Sequence, residues 1–411
     1  MATAISEYTD DPNIINVLCI GDPHFKVKNS KETDALEESL TKLLADRKPD
    51  FIVVLGDVLD RHEIIKESPL SRCTRLLKKL EDVAPTYLVV GNHDRPNNSV
   101  FLTKEHPFNA FRYWKNITVA DIPIQIQVKG RLFTFVPYVF PGRFEEAIDT
   151  MYGIHKDTLD FKRLSALNQF FCAMISKFEK GHPEETKRYR KLLEIVDDSI
   201  ARQTYEHTPD YSLGDWKDST CIFAHQEFKG AKMGAIISED GDPWSLDKPL
   251  VVSGHIHNYD HLQNNIIYTG TPIQHAFGDR ADKTVSWLTF GKDKSFTEER
   301  IDLGIPKKVM LAVNYEDIED TTLPENAEVK VIVVGNTSQI KTAGKLSKIK
   351  KWLKQGVKVA YRDISEIDLE KREPEIVMRY EDLLVKTLEE LPEEESKPLL
   401  SLFRSICMET N

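Results

Sequence analysis

The chain has 411 residues, of which 40% are hydrophobic and 29% charged, a balance with ample length for a packed core and two or three domains. Its longest aliphatic runs, such as Ile52–Leu55, are four or five residues, far short of the roughly 20 a membrane-spanning helix needs, so no membrane partner is expected. The net charge of −11 speaks against nucleic acid only until it is placed: residues 363–395 carry 13 acids and four bases, leaving about −3 for the first 362 residues, an acidic tail behind a nearly neutral body.

The first third alternates short apolar runs, Ile15–Ile20, Phe51–Leu55 and Tyr87–Val90, with helical patterns over 33–47 and about 69–82. That rhythm predicts a mainly parallel α/β sheet with strands buried on both faces. IPIQIQV and RLFTFVPYV flank Lys129-Gly130, a hairpin signal. Residues 143–206 are polar and helical in pattern and are expected to form a surface excursion. Strands resume at Cys221–Phe223, Leu250–Val252, Ile266–Tyr268 and Val285–Phe290, and Gly304-Ile305-Pro306 marks a boundary. Beyond it VMLAV, EVKVIVV and VKVAY are strands around a lysine-rich helix at about 343–355, and 374–411 is helical again. Three domains are expected: 1–305, 306–365 and a helical tail, 366–411.

The N-terminus, MATAISEYTDD, has no secretory signal pattern. The cysteines Cys19, Cys73, Cys172, Cys221 and Cys407 are odd in number and form no CxxC. The expectation is an intracellular, reducing setting, cytoplasmic or nuclear.

Chemistry gathers where strands end. Asp22 and His24, Asp57, Asn92-His93-Asp94, His225, and His255 with His257 each follow an apolar run, at the sheet edge where α/β ligand sites form. A lone GNHD is a turn, and a lone GHIH a strand end; five such groups in order are not a packing pattern, because imidazoles and carboxylates there are costly to bury unless paired or ligated. Asp22, His24, Asp57, Asn92, His225, His255 and His257 are seven mixed oxygen and nitrogen donors. With one shared carboxylate they suit two divalent ions about 3.5–4 Å apart. Imidazole with carboxylate and no thiolate suits manganese, iron or zinc.

In this order D-x-H, GD, GNHD, H and GHxH resemble the calcineurin-like metallophosphoesterase superfamily. IIYTGTPIQHAFGD, after GHIH, is similar to the segment that follows this motif in the SbcD nuclease family, known in eukaryotes as meiotic recombination eleven. FAHQEFKGAKMGAIISEDGD and NNSVFLTKEHPFNAFRYW resemble versions carried by large DNA viruses and phages. The likeness covers residues 14–290 closely and 305–411 loosely.

The resemblance implies a metallophosphoesterase sandwich, two sheets flanked by helices, with a small β/α cap domain and a helical C-terminal tail. It implies a metal-dependent DNA nuclease, a 3′-to-5′ exonuclease and endonuclease of repair, recombination or replication, using two divalent ions, manganese above all, to activate a hydroxide. DNA, an SMC-like ATPase of the SbcC type and a second copy of the chain are the implied partners, and a virus or phage an implied source. Carried over by position, Asp22, His24 and His257 bind one metal, Asn92, His225 and His255 the other, and Asp57 bridges them. His93 faces the scissile phosphate and Asp94 orients it.

Asp60 stands where some members have a DNA-related histidine, and His62 is read as a surface or supporting residue rather than its replacement. GDVLDR also resembles the protein Ser/Thr phosphatases, but those lack His62 and end the GNHD motif in glutamate. His275 is read as a structural partner in a turn, and His106, His155, His182 and His207 have no metal-like spacing. Lys341–Lys358 holds seven lysines and no acid, a DNA-facing surface or a solvated helix face. Ile376, Tyr380, Leu383, Leu384, Thr387, Leu388 and Leu391 recur at helical spacing, a stripe for a partner groove or for the chain's own body. Two other functions stay open: a phosphoesterase of small nucleotides or phosphoproteins, and a DNA-bridging protein with weak catalysis.

Overall fold

Along β1 (Ile15–Ile20) and β2 (Phe51–Val54) every residue but Asn16 is buried, so each strand must satisfy two cores at once. Val17, Cys19, Phe51 and Val53 enter one core, while Leu18, Ile20, Ile52 and Val54 enter another, as the two-residue period of a strand requires. The computed structural model describes residues 11–152 except 63 and 99, parts of 169–193, and residues 213–364 except 235.

The first sheet adds β3 (Thr86–Val89), β4 (Ile117–Ala120), β13 (Val285–Phe290) and β14 (Phe296–Ile301), in the order β14-β13-β1-β2-β3-β4. β1 to β4 are parallel, and β13 and β14 close one side antiparallel. The second sheet holds β5 (Ile124–Val128), β6 (Arg131–Val136), β7 (Cys221–Ala224), β10 (Leu250–Ser253), β11 (Asp260–Gln263) and β12 (Ile266–Tyr268), in the order β11-β12-β10-β7-β6-β5. β6, β7, β10 and β12 are parallel, with an antiparallel strand at each edge. A two-stranded hairpin, β8 (Lys232–Met233) and β9 (Ile236–Ile237), stands apart from both.

The sheets pack face to face over Val17, Phe51, Phe133, Phe135, Phe223, Val252 and Phe290, all buried. Phe51 meets Phe133 edge to face at 5.2 Å and Phe223 at 5.9 Å, geometries that aromatic quadrupoles favour. On the outer face of the first sheet lie α1 (Ser30–Asp46) and α2 (Glu67–Glu81), which bury Leu36, Leu40 and Leu44 and Cys73, Leu76, Leu77 and Leu80. On the outer face of the second, α3 (Phe144–Asp149) buries Phe144, Ala147 and Ile148 beside Ile222 and Val251. The architecture is therefore the expected α/β sandwich of two mixed sheets flanked by helices.

The described residues fall into two compact units: those up to Met310 with Leu323–Lys330, and Leu311–Thr322 with those from Val331 on. A three-stranded sheet holds β15 (Lys307–Asn314), β16 (Ala327–Gly335) and β17 (Lys358–Asp363), in that order. The lysine-rich stretch forms two short helices, α4 (Thr337–Ala343) and α5 (Ser347–Lys354), rather than the single one expected. Asn336 caps α4, accepting from the Gln339 N–H while Gln339 reaches back to its backbone. That cap starts α4 earlier than the lysines do.

Of the expected excursion over 143–206, α3 and helical turns at 169–177 and 189–193 are described. The expected tail, 366–411, lies outside the described residues, as do His155, His182 and His207. No described helix is long and apolar enough to cross a membrane.

Candidate metal centre

The donor residues stand just past the carboxyl ends of β1, β2, β3, β7 and β10, where the chain must turn sharply. His24, Asp57 and His255 take φ values of 42°, 46° and 79°, left-handed conformations that cost non-glycine residues on the order of 1 kcal/mol or more and cluster at functional sites. The glycines Gly56, Gly91 and Gly254 are dictated by neighbouring donors. A Cβ on Gly91 would collide with the backbone nitrogen and carboxylate of Asp57, and one on Gly254 would come within 2.9 Å of Asp22 Oδ1 and 3.0 Å of His225 Nδ1.

The structure brings all seven expected donors together. His24 Nε2 lies 3.1 Å from His257 Nε2 and 3.7 Å from Asp57 Oδ2. Asp57 Oδ2 is 3.4 Å from His225 Nε2, and Asp22 Oδ1 is 3.3 Å from His225 Nδ1. Asn92 Oδ1 lies 2.9 Å from His225 Nε2 and 3.0 Å from His255 Nδ1. The main-chain N–H of His255 donates to Asp22 Oδ1 at 3.0 Å, and that of His93 to Asp57 Oδ1 at 2.8 Å. Two clusters of cation-holding geometry emerge: Asp22, Asp57 and His225; and His24, His257 and His275.

The donor chemistry fits metal ions. His225 Nδ1–H donates to the Leu55 carbonyl at 2.7 Å, so in the neutral ring Nε2 is a bare lone pair. It faces two oxygens, Asn92 Oδ1 and Asp57 Oδ2, an arrangement that calls for positive charge between them. Burial works against charge on His225, but the Asp57 and Asp22 carboxylates outweigh it and push the imidazole up to about 9. Burial likewise raises Asp22 to about 7, with the Asp57 charge adding to it. Burial alone would raise Asp57 too, yet His225, His24 and His93 together hold it well below the usual carboxylate range. These pulls on a proton are what a divalent cation meets in the same place.

His93 and Asp94 diverge, contrary to the expected pair. The Asp94 carboxylate turns inward and accepts from the main-chain N–H groups of Val58, Leu59 and Gly91 at 3.0–3.2 Å. It ties the ends of β2 and β3 together and does not orient the His93 ring, because three amide donors in a buried pocket hold it more strongly than one solvent-facing imidazole could. His93 Nδ1 instead lies 3.0 Å from the Asp60 carbonyl, and its side chain is 36% exposed. His62 stacks on it, with rings 5.2 Å apart and 11° from parallel, anchored by Nδ1 at 3.0 Å from the Arg95 carbonyl.

His275, read from the sequence as a structural partner in a turn, lies beside the donors His24 and His257. Its ring sits 4.9 Å from that of His24 and 5.3 Å from that of His257. Burial and the neighbouring His257 push it down to about 3, so the ring is neutral. No spacing motif links it to GHIH; only the short turn after Thr269-Gly270-Thr271, returning toward β1, could have signalled it. His106 belongs elsewhere, 3.2 Å from Asp121, which Arg112 also pairs.

The Calcineurin-like phosphoesterase family profile matches residues 15–259. The chain belongs to this family. The phosphoesterase is 35% identical over 358 residues to "Putative phosphoesterase 078R" of Invertebrate iridescent virus 3, covering 85% of each chain. It is 34% identical over 333 residues to "Putative phosphoesterase 244L" of Invertebrate iridescent virus 6, covering 79% of this chain and 95% of that one. A solved structure, "GAP50 the anchor in the inner membrane complex of Plasmodium", covers 71% of this chain and 85% of its own at 12% identity, with a TM-score of 0.33. Family membership and the donor cluster agree on a phosphoester hydrolase with a dinuclear metal site.

Proposed function

We propose that this phosphoesterase is a manganese-dependent DNA nuclease of the SbcD type, removing nucleotides from 3′ ends and cutting internally, in repair, recombination or replication. Asp22, His24 and His257 would hold one ion, Asn92, His225 and His255 the other, with Asp57 shared. When bound, two such cations polarise a phosphoryl oxygen and lower the pKa of water. The protein's own share of the chemistry falls to His93. Its Nδ1–H donates to the Asp60 carbonyl and Nε2 lies 3.9 Å from Asp57 Oδ2, on the side of the donor cluster; in the doubly protonated ring Nε2–H would pass its proton to the departing sugar oxygen, leaving the neutral Nδ1–H ring, and would balance charge on phosphorus until then. Stacking by His62 keeps that ring from rotating away.

The observation that carries the nucleic-acid reading is the lysine face of 341–358. In α5, Ile349 and Trp352 are buried while Lys350, Lys351 and Lys354 are exposed, with Lys341 and Lys345 exposed before them. No acid interrupts the stretch, as suits contact with a phosphate backbone. Both viral relatives fit a viral source for such an enzyme. The test is manganese-dependent digestion of labelled single- and double-stranded DNA beside a small chromogenic phosphodiester. Glutamine at Lys345, Lys350, Lys351 and Lys354 should weaken DNA binding most at low salt and spare the small substrate. Hydrolysis of the small substrate alone, with DNA untouched at any salt, would favour the small-nucleotide reading instead.

The partner reading rests on the apolar stripe of 376–391 with its acidic opposite face. A coiled coil of an SMC-like ATPase is the proposed host, and a homodimer the proposed assembly. Pull-down of the cognate ATPase with chains lacking 374–411 tests the first; retained binding would place that contact elsewhere. Sedimentation tests the second, and a monomer at all concentrations would reject it.

A further inference from the structure

The turn that carries His275 is held without its imidazole. Asp279 Oδ2 accepts from the main-chain N–H of His275 at 2.7 Å and of Ala276 at 3.0 Å, and Gln274 Nε2 donates to the Asp279 carbonyl at 2.9 Å. The expectation that His275 serves the turn is therefore unnecessary: backbone and Asp279 suffice. The ring is left to do something else.

What it does is set by three contacts. Nε2 lies 3.2 Å from the Asp22 carbonyl oxygen. A carbonyl only accepts, so Nε2 carries the hydrogen and Nδ1 is a lone pair. That Nδ1 is out of contact with solvent and has no hydrogen-bond partner among the described residues, a state that is costly for a buried acceptor. Finally, the His24, His257 and His275 rings meet edge-on, at 88°, 66° and 63° in their three pairings. One donor atom from each lies within 4.8 Å of the others. Three imidazoles that converge, with no hydrogen to share at one of them, are arranged as ligands of a cation rather than as a packed cluster.

We propose that His275 is an eighth donor of the metal centre, a third imidazole on the ion that His24, His257 and Asp22 hold; the inference rests on the dinuclear reading of the site. Its consequence is selectivity. Each imidazole exchanged for water or carboxylate shifts preference from zinc or iron toward manganese or magnesium. A position with His24, His257 and His275 is nitrogen-rich, whereas the other, with Asn92, His225 and His255, has two imidazoles. The two positions should therefore differ in the ion they retain, the nitrogen-rich one holding zinc or iron(II) more tightly against manganese.

The experiment is calorimetric titration of the full chain with zinc and with manganese, paired with the visible spectrum of the cobalt(II) form. The wild-type chain should bind two ions. His275→Gln keeps an N–H for the Asp22 carbonyl but offers no imidazole. It should lose more than about 100-fold in affinity for one ion, beyond the roughly 10–100-fold that loss of an outer hydrogen-bond partner costs. It should keep the other ion, lose more for zinc than for manganese, and change the cobalt spectrum. His275→Asp, which restores a donor of harder chemistry, should recover manganese binding more than zinc binding. Wild-type affinities in His275→Gln, or a smaller loss with an unchanged cobalt spectrum, would overturn the assignment and leave His275 as a support for Asp22. Fewer than two ions on the wild-type chain would overturn the dinuclear reading itself.

Discussion

The His93 ring is partly exposed and is anchored through Nδ1 to the Asp60 carbonyl. It is not one of the seven donors, so a proton can pass through it during turnover without loosening the metal centre. His93→Ala should retain both metals and bind DNA, yet lose about 10²–10⁴-fold in hydrolysis, the usual worth of a positioned proton donor. Near-normal turnover in the metal-loaded variant would remove His93 from that role. Asp57 is the contrasting residue. Its Oδ2 lies within 4 Å of ring nitrogens on His24, His93 and His225, so Asp57→Ala should disturb both ions, read as metal per chain by mass spectrometry. A variant that still holds two tightly bound ions would show that the carboxylate is not shared. Asp94→Asn, by contrast, should behave as a structural change. It exchanges an acceptor for a donor that faces the N–H groups of Val58, Leu59 and Gly91, and loss of melting temperature should accompany any loss of activity.

At the scale of elements, the site is a set of strand ends held at a fixed separation. Gly254 follows β10 and sits against Leu55, Asp22 and His225 at once. Gly254→Ala should push the end of β10 away from that of β2 and weaken metal binding without emptying the core; unchanged metal affinity would show that the strand ends have slack. This closeness explains why the site was largely legible in the sequence. Strands buried on both faces are short apolar runs, the expected donors follow them directly, and Gly56, Gly91 and Gly254 are imposed by neighbouring donors. What was not legible lies where that logic stops. β14 exposes one face, so Thr297, Glu298, Glu299 and Arg300 hide it as a polar segment. β4 has only four residues, two of them Thr118 and Ala120, behind an irregular stretch. Asp94 is adjacent to His93 in the chain, but adjacency does not show that its carboxylate points the other way. His275 reaches the site through a turn, and a turn has no period to read.

For the whole molecule, buried thiols define a pH limit. Burial raises Cys73 to about 12 and Cys19 and Cys221 well above their ordinary range. An unfolded thiol ionises near 9, whereas these stay protonated in the fold. Between those values the unfolded chain binds fewer protons than the folded one. Stability is therefore complete below about pH 9 and falls as pH rises, by on the order of 1 kcal/mol per thiol at pH 10. Melting temperatures from pH 7 to 10.5 would check this. Cys73→Ala should flatten the alkaline limb, and an identical limb in that variant would assign it to other groups.

The hydrogen bond from His225 to the Leu55 carbonyl joins the end of β7 to that of β2 across the seam between the sheets, and the His255 N–H to Asp22 contact does the same for β10 and β1. Asp22, His24, Asp57 and Asn92 belong to one sheet's edge and His225, His255 and His257 to the other's, so ions held by donors from both edges would act as rivets through a laminate. Every ion bound is then also a brake on delamination. Free metal at about 100 times its dissociation constant adds roughly 2.7 kcal/mol for each site. A chelated chain should melt several degrees lower and exchange its amide hydrogens faster at the ends of β7 and β10 than in the phenylalanine core. Uniform exchange across both regions would mean that the sheets hold together without the rivets. If the ends do loosen first, metal scarcity disarms the enzyme twice, removing its chemistry and unfastening the edge on which that chemistry is assembled.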